Sequence, residues 1–131
     1  MENCRSIQTP IDPKAPLVKA DGSEPPHEHT LYQQMFGSLM SLITCTCPDL
    51  AFSVSFLLCF SSHPLKCHHT AAKRVCRYIA GTHFLSLKYH QSPASVPLQL
   101  YGFSDADYAS FHDTRRCVTR YVFLLNACTI S

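Results

Sequence analysis

At 131 residues the chain is long enough for one domain with a real core and short for two. Hydrophobic residues make up 46% and charged residues 15%, which excludes a disordered, highly charged chain, and a net charge of +2 leaves only a local surface for any nucleic-acid contact. The most apolar stretch, Leu50 to Phe60, is broken by Ser53 and Ser55 and falls well short of the roughly 20 residues of a membrane span, so no membrane partner is expected.

Residues 1–6, MENCRS, carry an acid and no apolar run, so a secretory leader is not expected and the setting is read as intracellular and reducing. Eight cysteines are then thiols rather than a disulfide framework, with Cys59 and Cys76 placed inside apolar helical patterns as small hydrophobes. Residues 1–29 hold five of the nine prolines and no sustained periodicity, the pattern of an extended, poorly packed, linker-like lead segment.

Helical order is expected from Thr30. Thr30 and Gln33 have capping-box spacing, and Tyr32, Met35, Phe36, Leu39 and Ile43 follow at helical intervals, predicting a helix over 31–44. Pro48 and Asp49 open a second helix over about 49–61, apolar on nearly every side and therefore expected to be covered all round. A third helix over about 65–80 has two faces: Ala72, Val75, Cys76 and Ile79 share one arc, while Lys66, Lys73 and Arg77, with Arg74 beside them, line the other. Gly81 is placed to end it as a left-handed cap. The period then changes, predicting strands over 84–89, 98–104 and 118–125 with a loop at 91–97. The expected fold is α+β, a three-helix layer over 31–80 followed by a small antiparallel sheet that exposes Phe103, Tyr121 and Phe123 on one face.

The stretch Tyr101 to Arg116, YGFSDADYASFHDTRR, carries the most chemistry. Asp105 and Asp107 fall at or near the end of a strand, a position suited to a metal-binding carboxylate, and they share a face only if the strand runs straight through both. Two carboxylates can share one hydrated cation, but a two-metal site needs several converging from separate elements. The bland alternative is a solvated strand end.

Three segments together resemble the polyprotein of copia-type retrotransposons: LYQQMFGSLMSLITCTCPDLAFSVSFLLCF, HPLKCHHTAAKRVCRYIAGT and YGFSDADYASFHDTRRCVTRYVFLLNACTIS. The lead segment CRSIQTPIDPKAPLVKADG is similar to the linker found there, so the likeness covers nearly the whole chain. It implies a region after the reverse-transcriptase palm that runs into RNase H: a linker over 1–29, a thumb- or connection-like helical region over 30–82, and the first strands of an RNase H-like sheet over 83–131. It also implies that Asp105 matches the first RNase H metal ligand, that the intact family uses Mg2+, and that the other carboxylates lie beyond Ser131 and the polymerase aspartates before Met1. A truncated, non-catalytic remnant is therefore expected, with Asp105 vestigial and no cofactor of its own. The chain departs from the family at Cys47 (usually Arg), Cys76 (usually small or Leu), His69 and Tyr108 (both usually Trp), Cys117 (usually Ser) and Arg120 (usually Gly).

Lys66, Lys73, Arg74 and Arg77 either contact an RNA–DNA duplex or another nucleic acid, weakly and in a salt-dependent way, or form an ordinary solvated helix face. A related polyprotein that completes the sheet is the alternative partner. Cys59, His63, Cys67, His68 and His69 invite a structural-zinc reading, although Cys67 to His69 are consecutive and the spacing lacks paired short loops. Cys45 and Cys47 have the wrong spacing for a redox pair.

Overall fold

Helix α1 spans His29–Cys45 in the computed structural model, which describes residues 4–15, 17–21, 25–89, 97–107, 117–126 and 128–130. The expected cap at Thr30 is not the one used. Glu28 precedes the helix in a left-handed conformation (φ 41°, ψ 50°), its carbonyl accepts the Tyr32 N–H at 3.0 Å, and Thr30 therefore lies within the first turn. Gln33 meets His29 on the same face instead of reaching back to a cap, their side-chain nitrogens 3.2 Å apart. The predicted apolar stripe holds: Tyr32, Phe36 and Leu39 are buried, and Met35 and Ile43 pack against them.

A single 3-10 turn, Pro48–Leu50, leads into α2, Ala51–Leu58, shorter than the span expected. Leu50, Val54 and Leu57 enter the core, but Phe52 stays 44% exposed and stacks on Phe56 at 6.0 Å between ring centroids. The expectation of an all-round covered helix fails because α1 and α3 pack on one side of α2, leaving Phe52 on the other. Cys59 is likewise exposed, its thiol 3.5 Å from the Ser55 carbonyl, and is not a core residue.

Helix α3, Lys66–Thr82, contributes Ala71, Ala72 and Val75 to the core, with Ile79 packed against it and Cys76 half-buried. Burial pushes the Cys76 thiol up from its ordinary pKa. Tyr32 lies at the centre of this unit, where its buried hydroxyl donates to the Leu57 carbonyl at 2.8 Å and its ring meets Phe36 and His69. Gly81 is not a left-handed cap, since the helix runs through it. A Cβ at Gly81 would lie 2.7 Å from the Cβ of Ser6, so glycine is needed there for close approach of the lead segment.

Among the described residues the lead segment has no helix or strand before Glu28, as expected, yet it is fastened rather than loose. Leu17 packs on the core, and the His27 N–H donates to the Pro64 carbonyl at 2.7 Å. His68 and His69 fasten its C-terminal part. The Leu65 N–H donates to His68 Nδ1 at 2.9 Å, which leaves the ring proton on Nε2 to be donated to the Val18 carbonyl at 3.0 Å. His69 Nε2 donates to the His27 carbonyl at 2.8 Å, and its buried Nδ1 has no hydrogen-bond partner among the described residues. An orphaned buried acceptor costs about 1–3 kcal/mol. The indole expected at this seat from the family resemblance would carry the same N–H and no such acceptor.

The chain divides into two units, Met1–Ser86 and Leu87–Ser131. The second is a three-stranded antiparallel sheet in the order β1 (Leu100–Asp107), β2 (Val118–Leu125), β3 (Cys128–Thr129). The architecture is thus α+β. Strand β2 has the predicted bounds, β1 starts and ends later than predicted, and β3 is additional to the predicted strands. Asn126, in the left-handed region at φ 47°, turns the chain from β2 into β3, and its side chain accepts the Gln99 N–H at 2.8 Å.

The strand predicted over 84–89 is not one. Among the described residues it pairs with no strand, and it touches β3 through single bonds: Tyr89 hydroxyl to the Thr129 carbonyl at 2.8 Å, and the Cys128 thiol to the Lys88 carbonyl at 3.4 Å. The loop predicted at 91–97 lies, apart from Pro97, outside the described residues. Phe103, Tyr121 and Phe123 are exposed as expected, but not on one face. Phe103 pairs with Val122, whereas Gly102 pairs with Phe123 and Ser104 with Tyr121, so the two aromatics of β2 lie on the face opposite to Phe103. The Phe123 ring covers Gly102, where a Cβ would come within 2.8 Å of it.

His68 gives a pH signature. Desolvation, with His69 nearby as a further cause, holds its pKa below the ordinary 6.5, against the raising effect of the Val18 hydrogen bond. The folded chain keeps this ring neutral at pH values where the unfolded chain protonates it, so stability is full above the unfolded value and drains as pH falls below it. Thermal midpoints are expected to stay level from about pH 8 to 7 and to decline below about 6.5, with a shallower decline in a His68→Gln chain. Parallel declines in the two chains would refute this assignment.

Candidate carboxylate site and basic helix face

Strand β1 continues straight through both aspartates, so alternation puts Asp105 and Asp107 on one face. The antiparallel register pairs Asp105 with Arg120. The guanidinium spans both carboxylates, Nη1 at 3.2 Å from Asp105 Oδ2 and Nη2 closer still to Asp107 Oδ2. The hydrogen bond to Asp107, with a smaller contribution from Asp105, raises the Arg120 pKa further above its ordinary value. As a surface ion pair this arrangement adds little to stability. Its chemical effect is larger, because a divalent cation must displace a guanidinium already held by two charge-assisted bonds.

Among the described residues no three of His, Cys, Asp and Glu converge on a point where a metal could sit. Asp113 and Tyr108 lie outside the described residues. The family resemblance marks Arg120 as a departure from glycine, and its position opposite Asp105 is not legible in the sequence. Alternation alone places it on the face of Val118 and Val122. Only the strand register shows which β1 residue it meets.

The four cations of α3 separate into two kinds. Lys66 and Lys73 are exposed. Arg74 and Arg77 are half-buried and hold the lead segment: Arg74 Nε donates to the Thr9 carbonyl at 3.2 Å and its Nη2 to Thr9 Oγ1 at 2.8 Å, while Arg77 Nε donates to the Arg5 carbonyl at 2.8 Å. Asp12 Oδ2 lies 3.9 Å from Arg74 Nη1. The uninterrupted basic stripe of the sequence is therefore partly covered.

Two histidines of the zinc reading, His68 and His69, serve the backbone instead. His68 has both ring nitrogens engaged, His69 donates to His27, and Cys59 is exposed. The thiols of Cys45 and Cys47 each sit beside the hydroxyl of the preceding threonine, at 3.8 Å and 3.4 Å, with no disulfide. Elsewhere on α3 the Tyr78 hydroxyl donates to Asp49 at 2.7 Å, and this bond first, then burial, raises the Tyr78 pKa.

No helix among the described residues is long and apolar enough to cross a membrane. No protein-family model matches the chain, and no solved structure matches it. Curated relatives do. The chain is 37% identical over 100 residues to the secreted RxLR effector protein 161 of Plasmopara viticola, covering 76% of this chain and 68% of that one. It is 32% identical to the retrovirus-related Pol polyprotein from transposon TNT 1-94 of Nicotiana tabacum, over 100% of this chain and 10% of the polyprotein. It is 33% identical to the putative transposon Ty5-1 protein YCL074W of Saccharomyces cerevisiae, over 90% of this chain and 37% of that protein. The chain thus spans only a small part of the transposon proteins it matches.

Replacing Arg120 by Thr, neutral and suited to a strand, is expected to open the carboxylate pair. Mn2+ at about 1 mM should then broaden the amide resonances of Asp105 and Asp107, with several-fold more needed for the wild-type chain. Equal broadening in the two would show that Arg120 does not guard the site.

Proposed function

The chain belongs to the copia-type retrotransposon Pol polyprotein family, and from that premise we propose that it is a non-catalytic, retroelement-derived segment that contacts nucleic acid through α3 and does not cut it. In this reading 30–82 is the thumb- or connection-like region, and 83–131 carries the opening strands of an RNase H-like sheet. The observation that carries it is Arg120 bound to both Asp105 and Asp107, which puts a fixed organic cation where metal-dependent hydrolysis needs an exchangeable one. In the intact family such a region would support RNA-directed DNA synthesis and RNA–DNA hybrid handling. Its Mg2+ would be held in part at the position of Asp105, where it would supply charge neutralisation and an activated water.

Lys66 and Lys73 are the exposed cations of α3, separated by seven residues and so on one side of the helix two turns apart. They suit sequence-independent contact with phosphates, and no aromatic platform for reading bases is found beside them among the described residues. Hybrid binding is expected to be weak, salt-dependent and reduced in a Lys66→Glu, Lys73→Glu chain, with a salt slope smaller by about 1 for each phosphate that the variant no longer neutralises. No cleavage of the RNA strand is expected in Mg2+ or Mn2+. Degradation of that strand, abolished by Asp105→Asn, would overturn the reading.

A second reading, docking onto a related polyprotein, is favoured by the sheet. Among the described residues β1 pairs only with β2, and Leu100 through Ala106 are all exposed, which leaves a long edge of the kind that accepts another strand. Co-expression with the RNase H-type region of a related polyprotein should yield a soluble one-to-one complex by size-exclusion chromatography. Persistent aggregation of both chains would count against it.

A further inference from the structure

We propose that residues 4–15 form a displaceable strap over the basic face of α3, and that a nucleic-acid phosphate backbone competes with the strap for Arg74 and Arg77. The inference rests on the nucleic-acid reading above and adds to it a masked state.

The observations are local and consistent in direction. Both arginines donate to strap groups, Arg74 to the carbonyl and hydroxyl of Thr9 and Arg77 to the carbonyl of Arg5. All of these acceptors are neutral. A phosphate offers the same planar fork two anionic oxygens in bidentate geometry, a stronger partner for guanidinium than a carbonyl. Asp12, the single acid within 4–15, lies 3.9 Å from Arg74 and places a negative charge over the face, which opposes a polyanion as long as the strap is seated. Asp12 also shapes the strap itself, accepting the Lys14 N–H at 3.0 Å on its side chain and the Ala15 N–H at 3.1 Å on its carbonyl.

The strap is held at its two ends by different forces. Past residue 16 the anchorage includes the half-buried Leu17 packed against the core and a hydrogen bond from the fully buried His68 ring to the Val18 carbonyl. Before it, Arg5, Ser6, Gln8, Thr9, Pro13 and Lys14 are exposed, Ile7 and Ile11 are half-buried, and the hydrogen bonds to α3 come from Arg74 and Arg77. Polar contacts at a solvent-accessible surface are weak and screened, so segment 4–15 can lift while residue 17 stays fixed. Ser6 fits only because residue 81 lacks a side chain.

That last contact supplies a test that leaves every charge in place. Gly81→Leu pushes the strap away from α3 without altering Arg74, Arg77 or Asp12. Against an RNA–DNA hybrid at low salt, the Gly81→Leu chain is expected to bind about fivefold tighter or more than wild type, the scale of a modest coupling between two competing occupants. Trypsin should cleave after Lys14 faster in Gly81→Leu than in wild type, and adding hybrid to wild type should speed the same cleavage. Thr9→Val, isosteric and neutral, should shift affinity in the same direction by less, and gives the answer if Gly81→Leu does not fold. Binding by wild type with equal affinity in both variants and unchanged cleavage after Lys14 would overturn the strap while leaving nucleic-acid contact intact. Absence of binding in all three chains would overturn the nucleic-acid reading beneath it.

Discussion

A segment without helix or strand that lies on a protein surface must find partners for its peptide groups, and here helix α3 supplies the side chains that hold it. Helix α3 gives its apolar arc to α1 and α2, while its His68, His69, Arg74 and Arg77 donate to the carbonyls of Val18, His27, Thr9 and Arg5. Four carbonyls from a stretch rich in proline are satisfied by four side chains spaced along three turns. The seating of the lead segment and the partial covering of the basic stripe both follow from this arrangement.

The same use of internal partners governs the sheet. Asp105 and Asp107 face one way because β1 does not bulge, and the register brings a guanidinium opposite them. The family resemblance implies a metal ligand at this point, and the residue facing the carboxylates then decides whether the site can exchange cations. Glycine there would leave it open. Arginine closes it with a permanent charge that belongs to the chain, and the exposed position means the closure matters for chemistry and little for stability.

These two devices have the same character, since each commits a charged side chain to an internal partner where a ligand could have been. At α3 the internal partner is neutral main chain, which a phosphate can outcompete. At β2 it is a pair of carboxylates, which only a strong cation could displace. The helix face is therefore better suited to reversible binding on physical grounds, and the sheet face is the more inert.

The helical stripes are legible in the sequence because burial follows a 3.6-residue period that needs no tertiary information: Tyr32, Phe36 and Leu39 in α1 and Ala72 and Val75 in α3 are buried as the spacing requires. Strand β2 is legible as a run rich in β-branched and aromatic residues, VTRYVFLL. The stretch 84–89 misleads because a strand is defined by its neighbour, and among the described residues no strand pairs with it. Gly81 misleads because a glycine near a helix end signals a cap unless another segment crosses it, and only the packed chain brings Ser6 there. Arg74, Arg77 and Arg120 are visible as charges, but which group a charge meets depends on residues 15 to 72 positions away. Composition and periodicity thus determined which faces are apolar and which carry charge, since those are properties of each segment alone, whereas tertiary structure decided which charges were already engaged, since that depends on what the chain folds back to touch.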